Sequence, residues 1–132
     1  MKISARVCNS RNSNEVALRT NGRSHSISIP PKSNGLGADV NGGELLFLAL
    51  ATCYCNDVYR EAAKRGINVE EVDVAVEGEF GAEGEGAKHV VYQARVKSAA
   101  TQQEVRDLLT HTDSVAEVHN TLRAGTAVTL EI

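Results

Sequence analysis

Leu45-Leu46-Phe47-Leu48-Ala49-Leu50-Ala51-Thr52-Cys53-Tyr54-Cys55 carries no charge over eleven residues and decides how the chain is read. It continues into Asn56-Asp57-Val58-Tyr59-Arg60-Glu61-Ala62-Ala63-Lys64-Arg65 and stops at Gly66. Leu and Ala dominate, which favours helix. Two basic residues in the last turn and a glycine just beyond it form a helix C-terminus signature. The first half is apolar all round, so it is expected to be enclosed on all sides, while the second half is amphipathic and reaches solvent.

Outward from this helix the pattern changes period. On the N-terminal side Ile3, Ala5 and Val7 alternate with polar residues, as do Val16 and Leu18, and then His25, Ile27 and Ile29. Asn21-Gly22 between the last two runs is a hairpin turn signal. Pro30-Pro31 ends pairing, because proline lacks the ladder donor. Residues 32–43 hold four glycines, two asparagines and one aspartate and read as a loop. On the C-terminal side Val69, Val72, Val74, Val76 and Phe80 predict a strand, 81–87 an acidic loop tip, and Val90 to Val96 the return strand. Thr101-Gln102-Gln103-Glu104 is a capping box opening a helix with Val105, Leu108 and Leu109 inside. A short helix follows from about Ser114 to Arg123, with Val115, Val118 and Leu122 on one side. Gly125 ends it, and Thr126 to Ile132 alternates as a closing strand. Strands interrupted by helices predict an antiparallel α+β fold with sheets around the central buried helix, in a single domain over 1–132.

Composition narrows the function classes. The net charge is −3 and the 14 basic residues are dispersed, which argues against nucleic acid as a partner. No apolar run of about 18 residues is present, so no membrane span is expected. Met1 to Val7 lacks an apolar stretch and does not read as a signal peptide. Three cysteines without framework spacing point to free thiols in a reducing, cytoplasmic setting. With two Phe, three Tyr and no Trp, the core must be built from small aliphatics, and a partner subunit is one way to bury enough surface.

Gly42-Gly43-Glu44-Leu45 through Cys53, then Tyr59 to Ile67 and the Val-rich strand ending Glu77-Gly78-Glu79, resembles the "PxELLLAALAxC" helix and its continuation in the OsmC/Ohr family. The resemblance extends over nearly the whole chain. It implies an OsmC-like fold, an intertwined homodimer with sites at the subunit interface, and reduction of organic hydroperoxides by a helix cysteine as part of oxidative stress defence. Cys53 matches that cysteine. The family's second cysteine lies in a segment similar to Ala116-Glu117-Val118-His119-Asn120-Thr121-Leu122, so Ala116 stands at its place and Glu117 replaces a proline. The resemblance therefore implies a one-cysteine cycle, with an external thiol as reductant and no cofactor. Glu44 matches the glutamate of the helix start, Gly43 stands where the Ohr branch has its arginine-ordering glutamate, and Arg23 is the candidate for the arginine over the thiolate. A non-enzymatic dimer holding a small apolar ligand, or a thiol redox sensor, is the alternative.

The residues themselves constrain this chemistry. Cys53 lies about nine residues inside the helix, too deep for activation by the N-terminal dipole. Asn56 and Asp57 are its neighbours one turn on. Asn56 has a hydrogen bond to offer, whereas a charged Asp57 raises the thiol pKa. Without activation Cys53 is a small buried hydrophobe like most free cysteines. Cys55 points about 200° away around the helix, which bars a disulfide with Cys53. Cys8 reads as an ordinary strand residue. The Cys53-x-Cys55 pair with His111 and His119 has soft ligands, yet a helical CxC does not chelate, so no metal is expected. His119, three residues past Ala116, is a candidate hydrogen-bond donor to the same cleft. Glu44 is also explained as an acid favoured at a helix N-terminus.

Overall fold

The N-terminal alternation closes into a three-stranded antiparallel sheet. In the computed structural model, which describes residues 1–132, it runs β1 (Ile3–Ser10), β2 (Ser13–Thr20) and β3 (Arg23–His25), in that order. Ile3 pairs with Thr20 and Ser10 with Ser13. The Asn21-Gly22 turn has φ of 49° and 79°, the left-handed pair that a two-residue hairpin requires. β3 is shorter than the alternation predicts. After His25 the backbone leaves the ladder: Ile29 is buried and its carbonyl accepts from Asn14 Nδ2 at 2.9 Å, a bond that holds 26–29 away from strand geometry. The following loop is pinned at both ends. Pro31 bridges Ala38, Lys32 N–H donates to Gly37 O, and Asn9 Oδ1 accepts from Gly37 N at 2.8 Å.

α1 (Gly42–Lys64) begins three residues earlier than its apolar run. A second capping box explains this: Asn41 Oδ1 accepts from Glu44 N at 2.9 Å, and Glu44 Oε2 accepts from Asn41 N at 3.0 Å. The helix ends as its sequence predicts. Gly66 takes φ of 67°, its N–H bonds Ala63 O, and Ile67 N–H reaches back to Ala62 O at 2.9 Å, satisfying carbonyls that the helix leaves open.

The chain divides into two compact units, Met1–Leu45 and Leu46–Ile132. In the second, β4 (Val69–Phe80) and β5 (Ala87–Ser98) form one long antiparallel hairpin, with Val74 opposite Ala94 and Val76 opposite Tyr92. α2 (Gln102–Val115) opens on the expected Thr101–Glu104 capping box, and α3 (Glu117–Arg123) follows after a break at Ala116. Tyr54, Val58, Ala62, Leu108 and Ala116 form the buried cluster, against which Val72, Val74, Tyr92 and Val96 pack from the hairpin. Phe47 meets Phe80 at 5.9 Å, and Gly78 is the residue that admits it: a Cβ there would lie 2.8 Å from Phe47 Cζ and 3.2 Å from Val90 Cα. The mixed α+β class with antiparallel sheets is as the sequence predicts, and no helix is long and apolar enough to cross a membrane.

Three further expectations need correcting. Within one chain the first half of α1 is not enclosed: Leu48 is 53% exposed, and only Leu50 and Tyr54 of that half are buried. The short C-terminal helix starts at Glu117, not Ser114, since Ala116 takes an extended conformation, and its inward residues are Ala116 and His119 where Leu122 was expected. Thr126–Ile132 forms no strand. Val128 and Leu130 are 98% and 82% exposed, for alternation makes a strand only where the segment pairs with a sheet edge, and this one pairs with none in its own chain.

Candidate active site around Cys53

Helical spacing puts Leu46, Leu50, Cys53 and Asp57 on one stripe of α1. Cys53 is half-buried, and its thiol donates to Asp57 Oδ2 at 3.4 Å. Asp57 is itself buried, and its other oxygen accepts from Arg60 Nη1 at 2.8 Å. The same guanidinium nitrogen reaches Glu117 Oε1 of α3 at 3.2 Å, and Arg60 Nε reaches Glu61 Oε1 at 2.8 Å. Glu61 also accepts from Lys64 Nζ at 2.9 Å and lies 3.1 Å from His111 Nε2 of α2. The hydrogen bonds from Arg60 and then Lys64 outweigh burial and hold the Glu61 carboxyl down at about 2.

The thiol itself is not activated within one chain. Burial pushes the Cys53 thiol up. The backbone N–H of Val118 stabilises the thiolate and works against that push, but Asp57 and Glu117 add negative charge and the net direction is upward. Burial also raises Asp57, helped by Glu117 and opposed by the thiol hydrogen bond and Arg60. Glu117 is lowered, first by its own backbone N–H, against some burial, and then by Asp57 and Arg60. The arrangement is a thiol donating to a carboxylate that is a better proton acceptor than an ordinary aspartate. Sγ and the carboxylate oxygens of Asp57 and Glu117 lie within 4.8 Å of one another, a spacing suited to a metal, but the cation that bridges the two carboxylates is Arg60.

The remaining candidates fall in different places. Ala116, which the resemblance sets against the family's second cysteine, is fully buried in the core and brings no thiol. Cys55 faces away from Cys53 and lines a separate cavity with Val72 and Val74, as the helical rotation predicts. Cys8 is exposed on β1. Arg23 is exposed on β3, and Glu44 spends its carboxylate on the Asn41 N–H. His119 is 4% exposed, between the rings of Tyr54 at 5.7 Å and Tyr92 at 4.7 Å. Neither ring nitrogen has a partner. Burial lowers its pKa, Arg123 lowers it further, and Asp113 opposes. A cavity of about 430 Å³ lies beside it, walled by Leu46, Phe47, Leu50 and Val90.

Arg60 and Glu117 were not singled out from the sequence as site residues. The signal was there: Asp57 and Arg60 follow Cys53 by four and seven residues, on the same helical face. The bridge to Glu117 is tertiary and has no sequence signature.

The family model for OsmC-like protein matches residues 35–131. The chain belongs to the OsmC-like family. Solved structures agree on the fold. An OsmC-like protein from Mycoplasma pneumoniae is 15% identical with a TM-score of 0.65, covering 91% of this chain and 87% of that one. An organic hydroperoxide resistance protein from Elizabethkingia anophelis is 20% identical with a TM-score of 0.65, at 93% and 89% coverage. A Legionella pneumophila protein described as an organic hydroperoxide resistance protein OsmC is 21% identical with a TM-score of 0.62, at 93% and 90%. No curated protein matches by sequence. In this OsmC-like chain Cys53 stands on the central helix, with Asp57, Arg60 and Glu117 around it.

Proposed function

We propose that this OsmC-like protein reduces organic hydroperoxides at Cys53 in a one-cysteine cycle. The observation that carries the reading is the Cys53–Asp57 pair, a half-buried thiol with a proton acceptor and a backbone N–H at its sulfur. Kinship with hydroperoxide resistance proteins supports it. The thiol proton passes to Asp57, and Sγ attacks one peroxide oxygen. The O–O bond breaks, the alcohol leaves with the proton returned from Asp57, and Cys53 becomes a sulfenic acid. One external thiol condenses with it, forming a mixed disulfide and releasing water. A second external thiol attacks that disulfide, freeing Cys53 and leaving as the oxidised pair. Ala116 makes the external reductant necessary. The working form is a homodimer, supported by the exposed alternation of Val128, Leu130 and Ile132 and by the open side of α1 at Leu48.

The upward push on the thiol favours a second reading, a redox sensor that oxidises without turning over. Intact-mass analysis after brief cumene hydroperoxide treatment with a dimedone trap tests the first step. An adduct absent from Cys53→Ser is expected, and an unmodified, folded protein overturns both readings. Sustained peroxide consumption with excess dithiol selects the enzyme, and a single equivalent selects the sensor.

A further inference from the structure

One arginine of α1 is divided among three carboxylates. Arg60 Nη1 lies 2.8 Å from Asp57 Oδ1 and 3.2 Å from Glu117 Oε1, while Nε lies 2.8 Å from Glu61 Oε1. Glu61 also has Lys64 Nζ at 2.9 Å, but Asp57 and Glu117 share a single guanidinium nitrogen. Both carboxylates come within 4.8 Å of the Cys53 sulfur and of each other. Their settings differ: the Asp57 side chain is 7% exposed and that of Glu117 is 66% exposed. An aspartate with Arg60 to itself would be a weak base, because an opposite charge in contact favours the ionised carboxylate. Glu117 works against this twice, by drawing on the same nitrogen and by setting a like charge beside Asp57. Burial is the first cause that raises Asp57, and Glu117 adds to it against the thiol and Arg60.

We propose that Glu117 is a positioning residue for the reduction at Cys53: held opposite Asp57 by Arg60, it keeps Asp57 a base strong enough to take the thiol proton. The inference rests on the one-cysteine reading of Cys53. The proton crosses from Sγ to Asp57 Oδ2 over 3.4 Å and returns to the leaving alkoxide, so Glu117 itself neither gains a proton nor touches the peroxide. Its charge also opposes the thiolate, but less than burial and Asp57 do. Its stronger hold is on Asp57, and the balance favours the proton on oxygen over the proton on sulfur. The charged and titratable groups facing Asp57 are Cys53 and Arg60 on α1 and Glu117 on α3. From α2, His111 meets Glu61 and not Asp57.

The test is single-turnover oxidation of Cys53 in the full-length, reduced protein by cumene hydroperoxide, quenched and read by intact mass from pH 4 to pH 10. In the parent the rate climbs an acid limb set by Asp57 and reaches a plateau. Glu117→Gln should move that limb to lower pH. Each pH unit taken off Asp57 removes about tenfold of the chains with the proton on Asp57 and the charge on sulfur, so the plateau should fall by roughly three- to tenfold. Arg60→Gln cuts the same tie between α1 and α3 but takes a positive charge from Asp57, and should move the limb to higher pH. A role in fastening α3 alone would make the two variants alike. Limbs that move together, or an acid limb unmoved in Glu117→Gln, overturn the proposal while Cys53 still reacts. A parent whose Cys53 stays reduced at every pH overturns the reading of Cys53 and this proposal with it. Carbon-13 NMR titration of the Asp57 carboxyl reads the same two shifts without peroxide, and an Asp57 titration unchanged in Glu117→Gln also overturns the proposal.

Discussion

Replacing His119 by leucine should make the protein more stable. The imidazole is buried with two polar nitrogens unmet, and each such group costs about 1–3 kcal/mol. Against this, leucine loses the ring contacts to Tyr54 and Tyr92, about 0.5–1.5 kcal/mol each. The midpoints, about 4 kcal/mol against about 2, favour leucine by about 2 kcal/mol, or roughly 6–10 °C in Tm for a chain of this size. Acidification enlarges the gap. Burial keeps the folded imidazole neutral, so its folded pKa lies below the unfolded value of 6.5. Below that value the unfolded chain takes a proton that the folded one refuses, and stability falls with decreasing pH until the folded pKa is passed. One proton accounts for at most about 1.4 kcal/mol per pH unit. The leucine variant lacks this loss. Thermal melts at pH 7.5 and pH 5.5, at one protein concentration, measure both effects. A variant that melts below the parent at pH 7.5, or a gap that fails to widen at pH 5.5, would refute the reasoning.

Asp57→Asn should speed alkylation of Cys53 by iodoacetamide at pH 9, where solvent takes the proton and the carboxylate only raises the thiol, and should slow peroxide reduction, which uses Asp57 as proton acceptor; peroxide reduction at the parent's rate would refute that role. In the parent, alkylation should still be climbing at pH 9, the ordinary thiol value above which Cys53 is pushed, as followed by intact mass. Gly78→Ala drives a methyl against Phe47 and the Val90 backbone and should cost about 1–3 kcal/mol in urea unfolding. Asn41→Ala removes the cap of α1 and should cost about 1 kcal/mol in the same assay. If the proposed homodimer uses the exposed Val128 and Leu130, the parent should scatter light as a dimer and a chain lacking 126–132 as a monomer.

Local physics carried most of the fold. The α1 stop at Gly66, the Asn21-Gly22 hairpin and the Thr101–Glu104 cap each depend on residues within one turn of one another, so their sequence signs are sufficient. Ile27 and Thr126–Ile132 failed because alternation describes a strand's faces and says nothing about whether an edge is available. Asn41 is masked by the glycines around it, which read as loop, although Asn-x-x-Glu is the same cap as Thr-x-x-Glu. The site was half legible. Cys53 and the adverse effect of Asp57 follow from helix spacing. The Arg60–Glu117 bridge and the cage of Tyr54 and Tyr92 around His119 join residues far apart in the chain, which periodicity cannot connect.

Arg60 and Glu61 sit side by side in one turn, yet the first ties α1 to α3 through Glu117 and the second ties it to α2 through His111. A sulfur four residues upstream of Asp57 therefore shares a cation with a joint between helices. Any chemistry that fixes a negative charge on Cys53, such as irreversible oxidation to a sulfonate, would compete for Arg60 and weaken its hold on α3. The helix that would slacken is the one that carries His119 and Arg123. The oxidation state of one atom would thus be felt as a change in how firmly a neighbouring wall is fastened.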